Sequence, residues 1–198
     1  MRRQIPAAIR MIIVLTILTG IIYPLAVTGV AQIAFRSRAN GSFVTSSGRV
    51  VGSSLIGQTF TDADGNPLPR YFQPRPSAAG QDGYDATASG GSNLGPSNPT
   101  LLDLVARRVA AYRAFNGLAE GAQVPIDAVT ASASGLDPDI SLANALDQAP
   151  RVARARGLQL SEVVTLIDAN LQNRQWGFLG ENTVNVLLLN LSLDRVTA

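Results

Sequence analysis

Met11-Ile12-Ile13-Val14-Leu15-Thr16-Ile17-Leu18-Thr19-Gly20-Ile21-Ile22-Tyr23-Pro24-Leu25-Ala26-Val27-Thr28-Gly29-Val30-Ala31-Gln32-Ile33-Ala34-Phe35 contains no charged residue. Arg2, Arg3 and Arg10 stand before it, and Arg36 and Arg38 follow at once. At about 1.5 Å of rise per residue, a helix of this length reaches roughly 37 Å, more than the about 30 Å of a bilayer's hydrocarbon core. The run is too long for a secretory signal, whose apolar region covers about 7–15 residues, and Ala31-Gln32-Ile33-Ala34 lacks the small-x-small cleavage spacing. The sequence therefore predicts an uncleaved transmembrane helix over residues 11–35, with a short tail over residues 1–10 and one domain over residues 36–198.

Within the span, Gly20 and Gly29 admit close approach of a neighbouring helix, and Pro24 deprives the carbonyl near Gly20 of its donor. These residues mark the span as a partner helix rather than a lone anchor. Orientation follows from the arginines. Arg2, Arg3, Arg10 and the α-amino group outnumber Arg36 and Arg38, which predicts a cytoplasmic N-terminus and an extracytoplasmic domain.

The net charge of +2 does not indicate nucleic-acid binding, because the tail holds three of the sixteen bases, and residues 36–198 carry slightly more acids than bases. The chain has no Cys, His or Lys. A Walker A loop lacks its Lys, and Ser-His-Asp, Cys-His and Ser-Lys nucleophile systems are excluded. A structural zinc site has no thiolate or imidazole ligand, and no disulfide can brace the domain.

Residues 37–52 are rich in Ser and Gly and read as a linker. Ser54–Phe60 reads as a strand, Asp62-Ala63-Asp64-Gly65-Asn66 as a turn, and Leu68–Phe72 as the returning arm of a hairpin. Asp62, Asp64 and Asn66 match the first ligands of a calcium loop, but Pro67 replaces the required Gly and Gln73 the bidentate Glu, so a turn suffices. Residues 73–99 are dominated by turn formers, a length that points to a functional loop lying on a partner. Asn98 and Pro99 open a helix whose face is Leu101, Leu102, Val105, Val109 and Tyr112, with Arg107, Arg108 and Arg113 off that face and solvated. Ser141 caps a second helix, which Pro150 should kink or divide, and Ser161 caps a third. Val184–Leu193 reads as a buried strand. Asp137-Pro138-Asp139 reads as a turn before the second helix. No acid–base or nucleophile constellation emerges. The residues alone describe a membrane-anchored, non-catalytic α+β domain with one N-terminal transmembrane helix.

Several segments carry a resemblance. They are Leu18-Thr19-Gly20 with Tyr23-Pro24-Leu25, Gly52-Ser53-Ser54-Leu55-Ile56-Gly57-Gln58, Tyr71-Phe72-Gln73-Pro74-Arg75-Pro76-Ser77-Ala78, Ser89-Gly90-Gly91-Ser92-Asn93-Leu94-Gly95-Pro96, Val129–Pro138 and Gly177-Phe178-Leu179-Gly180-Glu181. In this order, over nearly the whole chain, they resemble the KdpC family, the accessory component of the bacterial Kdp high-affinity potassium-transporting P-type ATPase complex. Where the family commonly has Ala-Ser-Gly-Ser-Gly, this chain has Ala131-Ser132-Ala133-Ser134-Gly135.

The resemblance implies a non-catalytic accessory subunit of the bacterial plasma membrane, with no cofactor of its own. It also implies two partners, an ATP-hydrolysing P-type subunit that carries ATP and Mg and a channel-like subunit that passes potassium. The accessory chain would stabilise their assembly and raise the pump's affinity for ATP. An outside domain cannot reach cytoplasmic ATP, so that effect is expected to be a coupling between sites. Ser89-Gly90-Gly91-Ser92 matches the Leu-Ser-Gly-Gly-Gln signature of transport ATPases only in part. The expected partner-binding residues are Gly20, Pro24, Gly29, Gln58, Arg75, Ser77, Ser89, Gly90, Gly91, Ser92 and Asn93. For Arg75, fixed between Pro74 and Pro76, an internal salt bridge is the competing reading. The competing function is a free-standing, membrane-anchored ligand-binding module.

Overall fold

The computed structural model describes residues 4–196. Two compact units divide the chain, one ending at Phe43 and the other beginning at Val44. Arg2 and Arg3, which enter the orientation argument, lie outside the described residues.

The first unit is a single apolar helix of 31 residues, Gln4–Ala34, so the helix extends beyond the predicted span on its N-terminal side. It comprises α1 (Gln4–Ile17), a π-turn (Leu18–Ile22) and α2 (Tyr23–Ala34), none of whose residues is buried. Exposure of apolar side chains all round suits a hydrocarbon solvent. The π-turn is the structural consequence of Pro24. Proline lacks an N–H and its ring collides with the carbonyl four residues back. The helix accommodates it with a wider turn, in which the Tyr23 N–H donates to the Leu18 carbonyl, five residues back. Thr19 Oγ1 donates to the Leu15 carbonyl at 2.7 Å just before it. Phe35, at φ −135° and ψ 38°, stops the helix. The single turn α3 (Arg36–Ala39) follows.

The predicted linker over residues 37–52 is instead α3 and an antiparallel hairpin of β1 (Phe43–Ser46) and β2 (Arg49–Ser53). Ser47 and Gly48 both have positive φ, 49° and 77°, the conformation that a tight two-residue hairpin turn requires. The Ser/Gly composition that suggested flexibility encodes that turn.

The core of the second unit packs α5 (Leu142–Arg156), α6 (Leu160–Ala169) and α7 (Val186–Val196) with a small antiparallel sheet. The sheet runs β3 (Asp139–Ser141), β5 (Thr183–Asn185), β4 (Leu171–Gln172), with Ile140 and Leu171 both opposite Val184. Val152, Val163, Ile167, Leu189 and Leu193 are fully buried around it. α4 (Pro99–Asn116) begins as expected, with Asn98 Oδ1 accepting the Thr100 N–H at 2.9 Å.

Three local expectations change. Val184–Leu193 is not one strand, because β5 ends at Asn185 and α7 begins at Val186. Asn185 Oδ1 accepts the Leu188 N–H, and the buried Val186, Leu189, Asn190 and Leu193 recur at helical spacing. Ser54–Phe60 is not a strand either. Its hairpin reduces to an isolated Thr61–Pro67 bridge and a bond from Leu68 N–H to the Phe60 carbonyl, because Pro67 and Pro69 deny ladder donors. The Asp62 turn stands, since Asp62 Oδ1 accepts the N–H groups of Asp64 and Asn66. Gln159, not Ser161, caps α6, in a reciprocal capping box with Glu162. Pro150 neither divides nor ends α5. Pro150 and Leu146 are both exposed, so water can reach the carbonyl that the proline leaves without a donor.

Candidate functional site

Segments distant in sequence form one loop layer. Arg75 Nη1 meets Asp137 Oδ2 at 2.8 Å in a partly buried ion pair. Ser77 Oγ donates to the Gly135 carbonyl at 2.7 Å and accepts the N–H groups of Ala79 and Tyr84. Tyr84 Oη donates to the Arg75 carbonyl at 2.8 Å. Ser89 Oγ and Gly90 N–H both donate to the Ser134 carbonyl, at 3.0 and 2.9 Å. Gly91 lies so close to the Ala133 backbone that a Cβ on it would stand 3.1 Å from that carbonyl oxygen. Gly57 N–H donates to the Leu136 carbonyl at 2.9 Å. Thus residues 73–91 zip onto residues 129–138, and the Gly57 turn closes one side.

This arrangement sorts the expected site residues. Arg75, Ser77, Ser89, Gly90 and Gly91 are brought together, each holding or packing on the second loop. Gln58 packs beside Gly52, whose missing Cβ would stand 2.7 Å from Gln58 Oε1. Ser92 and Asn93 continue the same loop and are exposed, with Asn93 at a positive φ of 54°. Gly20, Pro24 and Gly29 belong to the helix of the first unit. Gly29 has open space where a side chain would be. Arg75 therefore has an internal carboxylate partner, as one of its two sequence readings held.

The electrostatics follow from burial. The Tyr84 hydroxyl is pushed well above its ordinary range by burial and by the Asp137 carboxylate, partly offset by Arg75. Burial, with Asp137 beside it, raises the Asp139 carboxyl, whose Oδ1 is buried and unpaired among the described residues. Arg108 is not solvated as expected. It is half-buried and donates to the Val129 carbonyl at 3.0 Å, and burial lowers its guanidinium.

Beneath the loop layer runs a polar network that sequence reasoning missed. Asn190 clamps both backbone groups of Phe72, accepting from its N–H at 2.9 Å and donating to its carbonyl at 3.0 Å. Gln148 does the same to Gln73, at 2.8 and 3.1 Å. Two side-chain amides thus replace a strand partner for a segment that has none. Arg151 donates to Gln148 Oε1, Asn116 Oδ1 and the carbonyls of Tyr71 and Pro69, and stacks 4.3 Å from the Phe115 ring centroid. Burial brings its guanidinium down to about 10, so it stays charged at neutral pH. Buried Asp127 accepts from Ser141 N–H, Ser141 Oγ and Asn144 Nδ2, which fixes the start of α5. A signal was present in the sequence. Asn144, Gln148 and Arg151 recur at helical spacing beside the apolar Ala145, Ala149 and Val152.

Among the described residues, no group of three His, Cys, Asp or Glu is placed to hold a metal ion. Among the described residues, one helix, Gln4–Ala34, is long and apolar enough to cross a membrane, and one α+β unit follows it, the make-up of a membrane protein with a single anchor helix. The family model for the c chain of the K+-transporting ATPases matches residues 5–195. A Mycobacterium tuberculosis H37Rv protein named "Potassium-transporting ATPase KdpC subunit" is 56% identical over 99% of this chain and 100% of its own length. Proteins of the same name from Methylibium petroleiphilum and Variovorax paradoxus are 53% and 52% identical, covering 98% and 100% of this chain and 98% and 99% of their own lengths. The chain belongs to the KdpC family.

Proposed function

We propose that this chain is the non-catalytic accessory subunit of an ATP-driven potassium uptake complex. In that role it stabilises the assembly of an ATP-hydrolysing P-type subunit with a channel-like subunit, and raises the first one's affinity for ATP. Full-length similarity to chains named as potassium-transporting ATPase subunits carries the reading. The fold is compatible with it. The helix leaves all its apolar faces open, with Gly20, Pro24 and Gly29 as its points of closest approach, and Arg75, Ser77 and residues 89–93 form a braced loop layer suited to presenting a fixed surface. ATP and Mg reside on the P-type subunit, and potassium is the transported ion.

The arginine bias supports a cytoplasmic N-terminus, with the second unit outside. A reporter active only beyond the cytoplasm, fused after Ala198, is expected to be active. Activity of a cytoplasm-only reporter at that position would reverse the orientation. With the second unit outside, ATP affinity is raised across the bilayer, by coupling through packed helices. Couplings of this kind amount to about 1–3 kcal/mol, or roughly 5- to 150-fold in affinity. Equilibrium ATP binding to membranes holding the other subunits is therefore expected to weaken by a factor in that range when this chain is absent. Unchanged affinity would remove the role in ATP affinity and leave assembly alone.

A further inference from the structure

A cleft of about 490 Å³ opens between the Pro74–Ser77 segment and the Arg108–Phe115 side of α4. Thr59, Gln81 and the Asp82 carboxylate line it as well, all three exposed to solvent. Tyr84 Oη is spent on the Arg75 carbonyl, and Tyr112 Oη on Asn144 Oδ1. The charged donors left in the cleft are on two guanidinium groups. Arg75 uses Nη1 on Asp137, and its Nε is buried and unpaired among the described residues. Arg108 uses Nη1 on the Val129 carbonyl. Arg108 has no carboxylate partner among the described residues, and burial is the only influence that displaces its ionisation. A half-buried cation without an anion is costly to keep, and an incoming anion offsets that cost. Pro74, Pro76, Ala111 and Phe115 supply apolar wall on either side.

We infer that this cleft receives an acidic side chain, Asp or Glu, carried on a segment of another subunit of the complex. The carboxylate takes the free donors of Arg108, and the flanking residues of the segment lie on the proline and phenylalanine surfaces. Guanidinium matches carboxylate in planar, paired hydrogen bonds, which gives register as well as attraction. The inference rests on the reading of the chain as an assembly subunit, and it names the side of the second unit that the partner meets.

The test uses the whole complex in native membranes. A photo-cross-linking amino acid replaces exposed Ala111 at the cleft, and cross-linked peptides are identified by mass spectrometry. The expected product joins Ala111's position to an Asp- or Glu-containing segment of another subunit. Arg108→Gln, which keeps an N–H donor for Val129 but removes the charge, is expected to cut its yield about tenfold, the loss of one partly buried charge pair. Arg108→Lys keeps the charge and should retain most of the yield. A purely structural Arg108 would give no loss with Gln, and that result overturns the inference. Cross-links to lipid, or within this chain alone, also overturn it. Recovery of the large subunits is scored in the same preparation. Recovery without the acidic cross-link overturns the cleft assignment alone, and failure of recovery overturns the assembly reading with it.

Discussion

Replacing Arg151 with Met is expected to destabilise the second unit by about 3–5 kcal/mol, the cost of breaking a buried charged network. Arg151 is only 5% exposed and its guanidinium holds four acceptors, of which Asn116 Oδ1, Gln148 Oε1 and the Tyr71 carbonyl lie at 2.8–3.0 Å. Met fills comparable volume but donates nothing, so Asn116 Oδ1 loses its donor and Gln148 Oε1 keeps only the Gln73 N–H. Gln148 then loses a restraint while it holds Gln73, and the segment leading to Arg75 loosens. At roughly 2–4 °C per kcal/mol for a unit of this size, the apparent melting temperature should fall by about 6–20 °C. Circular dichroism of the full-length chain in detergent measures it. Arg151→Lys should lose less, because the charge remains while the fork geometry does not. Equal melting of Met and wild-type chains would mean that the network carries little of the stability.

Gly135→Ala is the second large effect. Gly135 has φ +67°, a conformation that disfavours any Cβ. The added carbon would also stand 2.7 Å from the Gly90 carbonyl oxygen, 2.8 Å from Ala79 N and 2.7 Å from Ala79 Cβ. Two of these neighbours are backbone and cannot rotate away, so the two loops must part. Left-handed strain and overpacking together are expected to cost about 2–4 kcal/mol. The effect should be local, with amide exchange rising at Ser89–Gly91 and Ser132–Gly135 and α5 and α6 remaining protected. Gly29→Ala, in open space on the apolar helix, is the control and should leave the second unit's melting unchanged.

Legibility in the sequence followed the range of the forces involved. The span was legible because a bilayer punishes every charge along a 25-residue run. Asn98-Pro99 and Ser141 were legible because capping acts within three residues. The stretch Val184–Leu193 misled because a short apolar run serves a strand and a buried helix equally, and only the spacing of Asn185 and Asn190 hinted at the change. The hairpin at Ser47-Gly48 hid in a composition that also suits linkers. The loop layer was visible as separate motifs and not as contacts. Arg75 and Asp137 stand 62 residues apart, and Phe72 and Asn190 stand 118 apart, and no local rule links them. Arg108 looked solvated because it falls off the face of Leu101, Leu102, Val105, Val109 and Tyr112, whereas its actual surroundings include residues 73–84 and 128–129.

Everything proposed for this chain depends on its acting as a subunit of a potassium-transporting ATPase. Extraction of native membranes in mild detergent, with purification through a tag on this chain, tests that most directly. Stoichiometric recovery of an ATP-hydrolysing P-type subunit and a channel-like subunit is expected, with potassium-stimulated ATPase activity in the purified material. Recovery of this chain alone, from membranes in which both large subunits are shown to be present, would contradict it.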